Sequence, residues 1–134
     1  MLQKKWIWTL LTGLFLLSLT GCQDYNAKLN GKWQLMTITT PTQTLIRDSI
    51  FYNFDNYIFQ VQNVSRYSNP NGGVLMGEFR QTGDSLILRV VDNWYTPSHF
   101  YWNGLEKRFK IIDISSSKLR LSATDGIYTF RSYN

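Results

Sequence analysis

Ile50-Phe51-Tyr52-Asn53-Phe54-Asp55-Asn56-Tyr57-Ile58-Phe59-Gln60-Val61-Gln62 decides the fold class. Period two runs through it on both sides of Asp55-Asn56. Ile50, Tyr52 and Phe54 share one face before the break, and Tyr57, Phe59 and Val61 share one face after it. Successive residues of a strand point to opposite sides of a sheet, whereas a helix repeats its apolar stripe every three to four residues. The spacing therefore predicts two strands. Asp and Asn tolerate the positive φ of a tight turn, so Asp55-Asn56 is placed to join them as a hairpin.

The same alternation spreads outward along the chain. Trp33, Leu35 and Thr37 oppose Lys32, Gln34 and Met36. Leu75, Gly77, Phe79 and Gln81 oppose Met76, Glu78 and Arg80. Leu86, Leu88 and Val90 oppose Ile87, Arg89 and Val91. Phe109 and Ile111 give way to Ile112 and Ile114, a phase slip that predicts a bulge. Leu119, Leu121 and Ala123 oppose Lys118, Arg120 and Ser122, and Ile127, Thr129 and Arg131 oppose Tyr128, Phe130 and Ser132. Thr82-Gly83-Asp84, Ser115-Ser116-Ser117 and Asp125-Gly126 supply tight turns, and Asn69-Pro70-Asn71-Gly72-Gly73 a longer loop. The pattern predicts an all-β fold, an antiparallel up-and-down meander of about eight short strands, closed as a barrel or folded as a sandwich. Closure would remove the exposed sheet edges. Residues 92–106 break the rhythm, with Trp94, Tyr95, His99, Phe100, Tyr101 and Trp102 around Pro97. That stretch exceeds the usual hairpin loop of about 2–5 residues. An extra strand over residues 98–102 is expected for part of it.

The N-terminal segment has a different character. Lys4 and Lys5 precede residues 6–19, which carry no charge. That run falls short of the roughly 20 apolar residues needed to cross a bilayer, and polar sequence follows at once. A charged start, a short apolar run and a small residue before a break describe a secretory signal peptide. Leu19-Thr20-Gly21-Cys22 resembles a bacterial lipobox. The resemblance implies cleavage before Cys22 and acylation of its thiol and new amino group. Two or more acyl chains anchor stably where one does not. The expected division is a signal peptide over residues 1–21, a lipidated tether over 22–28 and a folded domain over 29–134. The expected location is the bacterial cell envelope, facing the periplasm or the surface. Gln23 rather than aspartate follows the cysteine, which favours the outer membrane over the inner.

Composition narrows the chemistry. A chain of 134 residues with 43% hydrophobic and 17% charged residues holds one folded domain. One cysteine and one histidine leave no material for a disulfide framework or a multi-cysteine metal site. No nucleophile-elbow or phosphate-cradling glycine motif occurs. Asp92 and Glu106 are the one acid pair to consider, and nothing in their spacing demands convergence. No enzymatic activity, cofactor or metal is expected. Removing Lys4 and Lys5 from 14 basic side chains set against 9 acidic ones leaves a modest net charge of about +3, which needs no nucleic acid to explain it. Lys107-Arg108-Phe109-Lys110 is the densest basic patch, read as a solvated strand edge that discourages edge pairing.

Gly31-Lys32-Trp33 resembles the Gly-x-Trp opening of lipocalins and their calycin relatives. The chain from Leu29 is also similar to small lipocalin-like domains in lipoproteins of Bacteroides-type bacteria. The resemblance implies a barrel whose closed end is plugged by Trp33 after Gly31, with Arg131 of the last strand packed over the indole. It further implies non-catalytic binding of a small apolar or amphipathic ligand by a monomer held to the membrane through Cys22. Tyr52, Phe54, Tyr57, Phe59 and Phe79 are the candidate inward residues, which line a pocket or fill it. Trp94, Tyr95 and Trp102 are candidates at the barrel mouth, presented outward or folded over it. The alternative is an envelope interaction or structural lipoprotein whose barrel is filled by side chains.

Overall fold

The hairpin over residues 50–62 forms, with its turn one residue later than expected. The structure is a computed structural model and describes residues 26–64, 73–92, 100 and 102–133. A helical turn, α1 (Asn26–Leu29), leads into β1 (Gly31–Thr39) and β2 (Thr44–Ile46). Then follow β3 (Ile50–Asp55), β4 (Ile58–Asn63), β5 (Gly73–Thr82), β6 (Ser85–Asp92), β7 (Glu106–Ile114), β8 (Lys118–Ala123) and β9 (Gly126–Ser132). Every neighbouring pair from β3 to β9 is antiparallel, and β9 returns to pair with β1. The meander is therefore a closed eight-stranded barrel, with β2 as an extra strand. β1 pairs with β3 through residues 31–34 and with β2 through residues 37–39, so both partners share one edge of it.

The register sets the two ends of the barrel. Gly31 lies opposite Phe54, and Trp33 lies opposite Ser132. The lower end therefore gathers α1 and the turns after β3, β5 and β7. The upper end gathers the connections after β1, β4, β6 and β8. Asp55 pairs with Ile58, which leaves Asn56 and Tyr57 as the lower turn at φ 45° and 71°. A two-residue hairpin turn of this hand requires positive φ at both central residues. That geometry removes Tyr57 from β4 and leaves it 64% exposed, so the expectation that it faces inward is corrected.

Bulges adjust which residues reach the interior. In β1 the register shifts between Leu35 and Thr37. Trp33 and Leu35 point inward, Ile38 takes the next inward position, and Thr37, expected beside Trp33, does not. The slip predicted in β7 is present between Ile111 and Asp113. Another, between β5 and β6, leaves Val91 as an extra residue 67% exposed. Of the stretch expected as an extra strand, Phe100 and Trp102 are described. Neither is in a strand, and both are buried; the rest lies outside the described residues.

Inward positions interlock as a ring of aromatics. Tyr52 meets Phe130 edge-on at 4.9 Å, Phe54 meets Phe79 at 5.2 Å, and Phe109 meets Tyr128 at 5.1 Å. Phe59 lies 5.8 Å from Trp102. Such spacings are those of packed aromatic pairs, each worth about 0.5–1.5 kcal/mol beyond area burial. Leu29 of α1 is fully buried beneath them and closes the lower end with Trp33.

Candidate functional site

Alternation along β7 sends Glu106, Arg108 and Lys110 outward and Lys107, Phe109 and Ile111 inward. Lys107 is 8% exposed, which corrects its reading as part of a solvated edge: closure has abolished the edge, and parity places the ammonium inside. Its Nζ lies 2.9 Å from Asp125 Oδ2. It also stands 5.2 Å from the Tyr128 ring centroid and 5.7 Å from that of Phe109. Cation–π attraction strengthens where water is excluded, so these rings help hold the charge. Tyr128 donates its hydroxyl to the same Asp125 oxygen at 2.7 Å. Asp125 sits in the turn between β8 and β9, and its side chain is 37% exposed. The cluster thus opens to solvent at the upper end through this carboxylate.

A second bond reaches into the same interior. The Trp102 indole N–H donates to the Tyr52 hydroxyl at 3.0 Å, satisfying two groups that would be costly to bury alone. Burial pushes the Tyr52 phenol well above its ordinary range, against the opposing pull of the Trp102 bond. Burial does the same to Tyr128, reinforced by Tyr52 and then by Asp125. Both phenols stay neutral donors at neutral pH. One cation, one carboxylate, two neutral phenols and an indole in an aromatic setting can hold an anionic or hydroxylated head group.

Tyr52, Phe54, Phe59, Phe79 and Trp102 come together in the interior. Tyr57 does not join them. Trp94, Tyr95 and Cys22 lie outside the described residues. Sequence reasoning missed Phe100, Lys107, Asp125 and Tyr128 as members of this region. For Lys107 the signal was available, since it shares parity with Phe109 and Ile111.

At the lower end, the Trp33 indole N–H donates to the Leu29 carbonyl at 2.9 Å, tying α1 to β1. Gly31 precedes it at φ 128°, a conformation that side chains rarely adopt. Arg131 does not pack over this indole from within. It is the cross-strand partner of Gln34, on the face opposite Trp33, and donates Nε–H to Gln34 Oε1 at 2.7 Å. Gln34 in turn donates to the Asp48 carbonyl at 2.7 Å. Arg131 therefore braces the outer wall, and the expected role is corrected because a one-residue difference in parity moves a side chain through the sheet.

A family model described as a lipocalin-like domain matches residues 16–133. The chain belongs to the lipocalin-like domain family. The lipocalin-like domain is similar to the crystal structure of a lipocalin-like protein from Bacteroides uniformis. Identity is 26%, covering 79% of this chain and 99% of that one, with a TM-score of 0.66. The crystal structure of an uncharacterized protein from Bacteroides eggerthii shares the fold at 23% identity, with 78% and 99% coverage and a TM-score of 0.64. Comparison with curated proteins finds no match. An eight-stranded barrel is just wide enough to be filled by side chains or to hold one small ligand, so this lipocalin-like fold supports a possible ligand-binding domain.

Proposed function

We propose that this is a lipid-anchored envelope protein whose lipocalin-like domain binds a small amphipathic ligand, without catalysis, at the upper end of its barrel. One observation carries the reading: Lys107 places a cation on the inner face of an aromatic barrel, beside the solvent-reaching Asp125. An acidic head group would exchange places with Asp125 at Lys107, and its apolar part would take the position of Trp102. The membrane anchor is Cys22, and the outer membrane is the proposed site. A Cys22→Ala chain should leave the membrane fraction.

Native mass spectrometry of the purified protein, followed by organic extraction, tests the ligand. A discrete copurifying acid or amphipath is expected. Its affinity should fall at least about tenfold in Lys107→Met, because a charge-assisted hydrogen bond contributes about 1.5–3 kcal/mol. A clean apo mass, unchanged after incubation with envelope lipid extract, would sink this reading. The interlocked interior aromatics favour the second reading in that event: a side-chain-filled barrel that acts through its outer surface on a protein partner.

A further inference from the structure

The lower end of the barrel collects cations that have no carboxylate within ion-pair distance among the described residues: Lys28, Lys32, Lys118 and Arg131. Lys118 and Arg131 are direct cross-strand partners on the outer face, a placement in which like charges repel. Arg131 has only the neutral amide of Gln34 against its Nε. Lys32 lies over the rings of Phe51 and Tyr133, at 5.0 and 5.3 Å. At the same end Tyr57 and Tyr133 are 64% and 48% exposed. Of the acids towards that end, Asp84 faces Lys110 at 3.6 Å, Asp113 is paired with Arg120 at 2.7 Å, and Asp55 is exposed. A self-repelling basic end flanked by exposed phenols fits a partner that is both anionic and interfacial.

The chain length outside the described residues says what that partner is. Only Gln23, Asp24 and Tyr25 separate Cys22 from α1. At about 3.5 Å per residue they hold an acylated Cys22 within ~14 Å of the lower end. We propose that the lower end docks on an anionic phospholipid surface, with Lys28, Lys32, Lys118 and Arg131 facing the head groups and Tyr57 and Tyr133 at interfacial depth. This rests on the reading of Cys22 as the lipid anchor. Basic residues near an anionic leaflet each add attraction that fades within a Debye length, and tyrosine prefers the membrane–water boundary. Docking this end also turns the upper end, with Lys107 and Asp125, away from the bilayer.

The test uses the chain processed in a bacterial host and reconstituted in vesicles of phosphatidylethanolamine with phosphatidylglycerol. Mass spectrometry first reads the acylation of Cys22. The sequence holds one cysteine, so in an acylated chain Tyr57→Cys, or Thr124→Cys at the opposite end, provides the sole free thiol for a nitroxide. A nickel-chelating lipid should relax the label at 57 much more strongly than the label at 124. Adding Lys28→Gln and Lys118→Gln should shift the docked-to-undocked ratio roughly 30-fold towards undocked. High salt should act in the same direction. An acylated chain with equal relaxation at both positions, or with relaxation at 57 indifferent to phosphatidylglycerol, overturns the docking and leaves the anchor standing. An unacylated chain overturns the anchor, and with it the short tether on which the docking depends.

Discussion

Tyr57 shows how a single backbone requirement overrides a side-chain pattern. It continues the apolar parity of Phe59 and Val61, yet the turn takes it at φ 71°. A bulky L-residue in that region costs about 1–2 kcal/mol. Its ring lies 6.3 Å from Phe79, a tilted contact on an exposed side chain. Tyr57→Gly should therefore raise stability by about 1 kcal/mol, read as a higher urea midpoint at unchanged slope. A lower midpoint would mean that the Phe79 contact outweighs the strain. The buried phenols make a second prediction at this scale. Tyr52 and Tyr128 are raised above the ordinary tyrosine range near 10, so their neutral forms favour the folded state. That contribution is complete below about pH 10 and is lost as pH climbs from there towards the raised native values. In an alkaline titration of tyrosinate absorbance, Tyr52 and Tyr128 should ionise only as the protein unfolds. Their ionisation in the folded baseline would contradict the packing described.

Among the elements, the crossing of β5 and β6 carries the tightest constraint. A Cβ on Gly77 would collide with the Arg89 carbonyl and lie 2.8 Å from Phe59 Cε1. The bulge at this rung, which extrudes Val91, marks the same close approach. Gly77→Ala should cost more than about 3 kcal/mol, measured by chemical denaturation. Phe59→Leu in the same chain should not restore it, because the first obstacle is backbone. Recovery by Phe59→Leu would show that the ring alone sets the limit. β7 illustrates how far element parity was readable. Its phase slip at Ile111 and Asp113 was visible in the apolar pattern, and so was the inward parity of Lys107. As part of a basic patch Lys107 reads as a solvated strand edge, since a cation is ordinarily placed in water. What offsets its burial is Asp125 and two rings, all from β7 itself and the β8–β9 hairpin.

Across the whole molecule, closure governs stability. β9 pairs with β1 over residues from both ends of the described domain, and the barrel presents no free edge among its eight strands. β2 stands apart, with three residues, only the central one partly buried. Amide hydrogen exchange should find β1 and β9 protected to the same global free energy as β4 and β5, with β2 opening well before them. Equal protection of β2, or early opening between β1 and β9, would mean that the barrel is held together elsewhere.

Local sequence by itself determined that this protein is a meander of short antiparallel strands, because period-two alternation and turn residues act within a few positions. The inward parity of Trp33 and of most of the candidate aromatics was legible for the same reason, whereas the closing role of Gly31 and Trp33 was implied by the resemblance to lipocalins. Only the tertiary structure decided that Tyr57 leaves the strand and that Thr37 yields to Ile38. It also decided that Arg131 braces Gln34 from outside rather than covering Trp33. Lys107 meets Asp125 and Tyr128 through the pairing of β7, β8 and β9, and Trp102 meets Tyr52 and Phe59 because β3 and β4 face the same interior. Bulges shift parity by one residue, and partners far apart in the chain meet only through the register of a closed sheet, which no local pattern encodes.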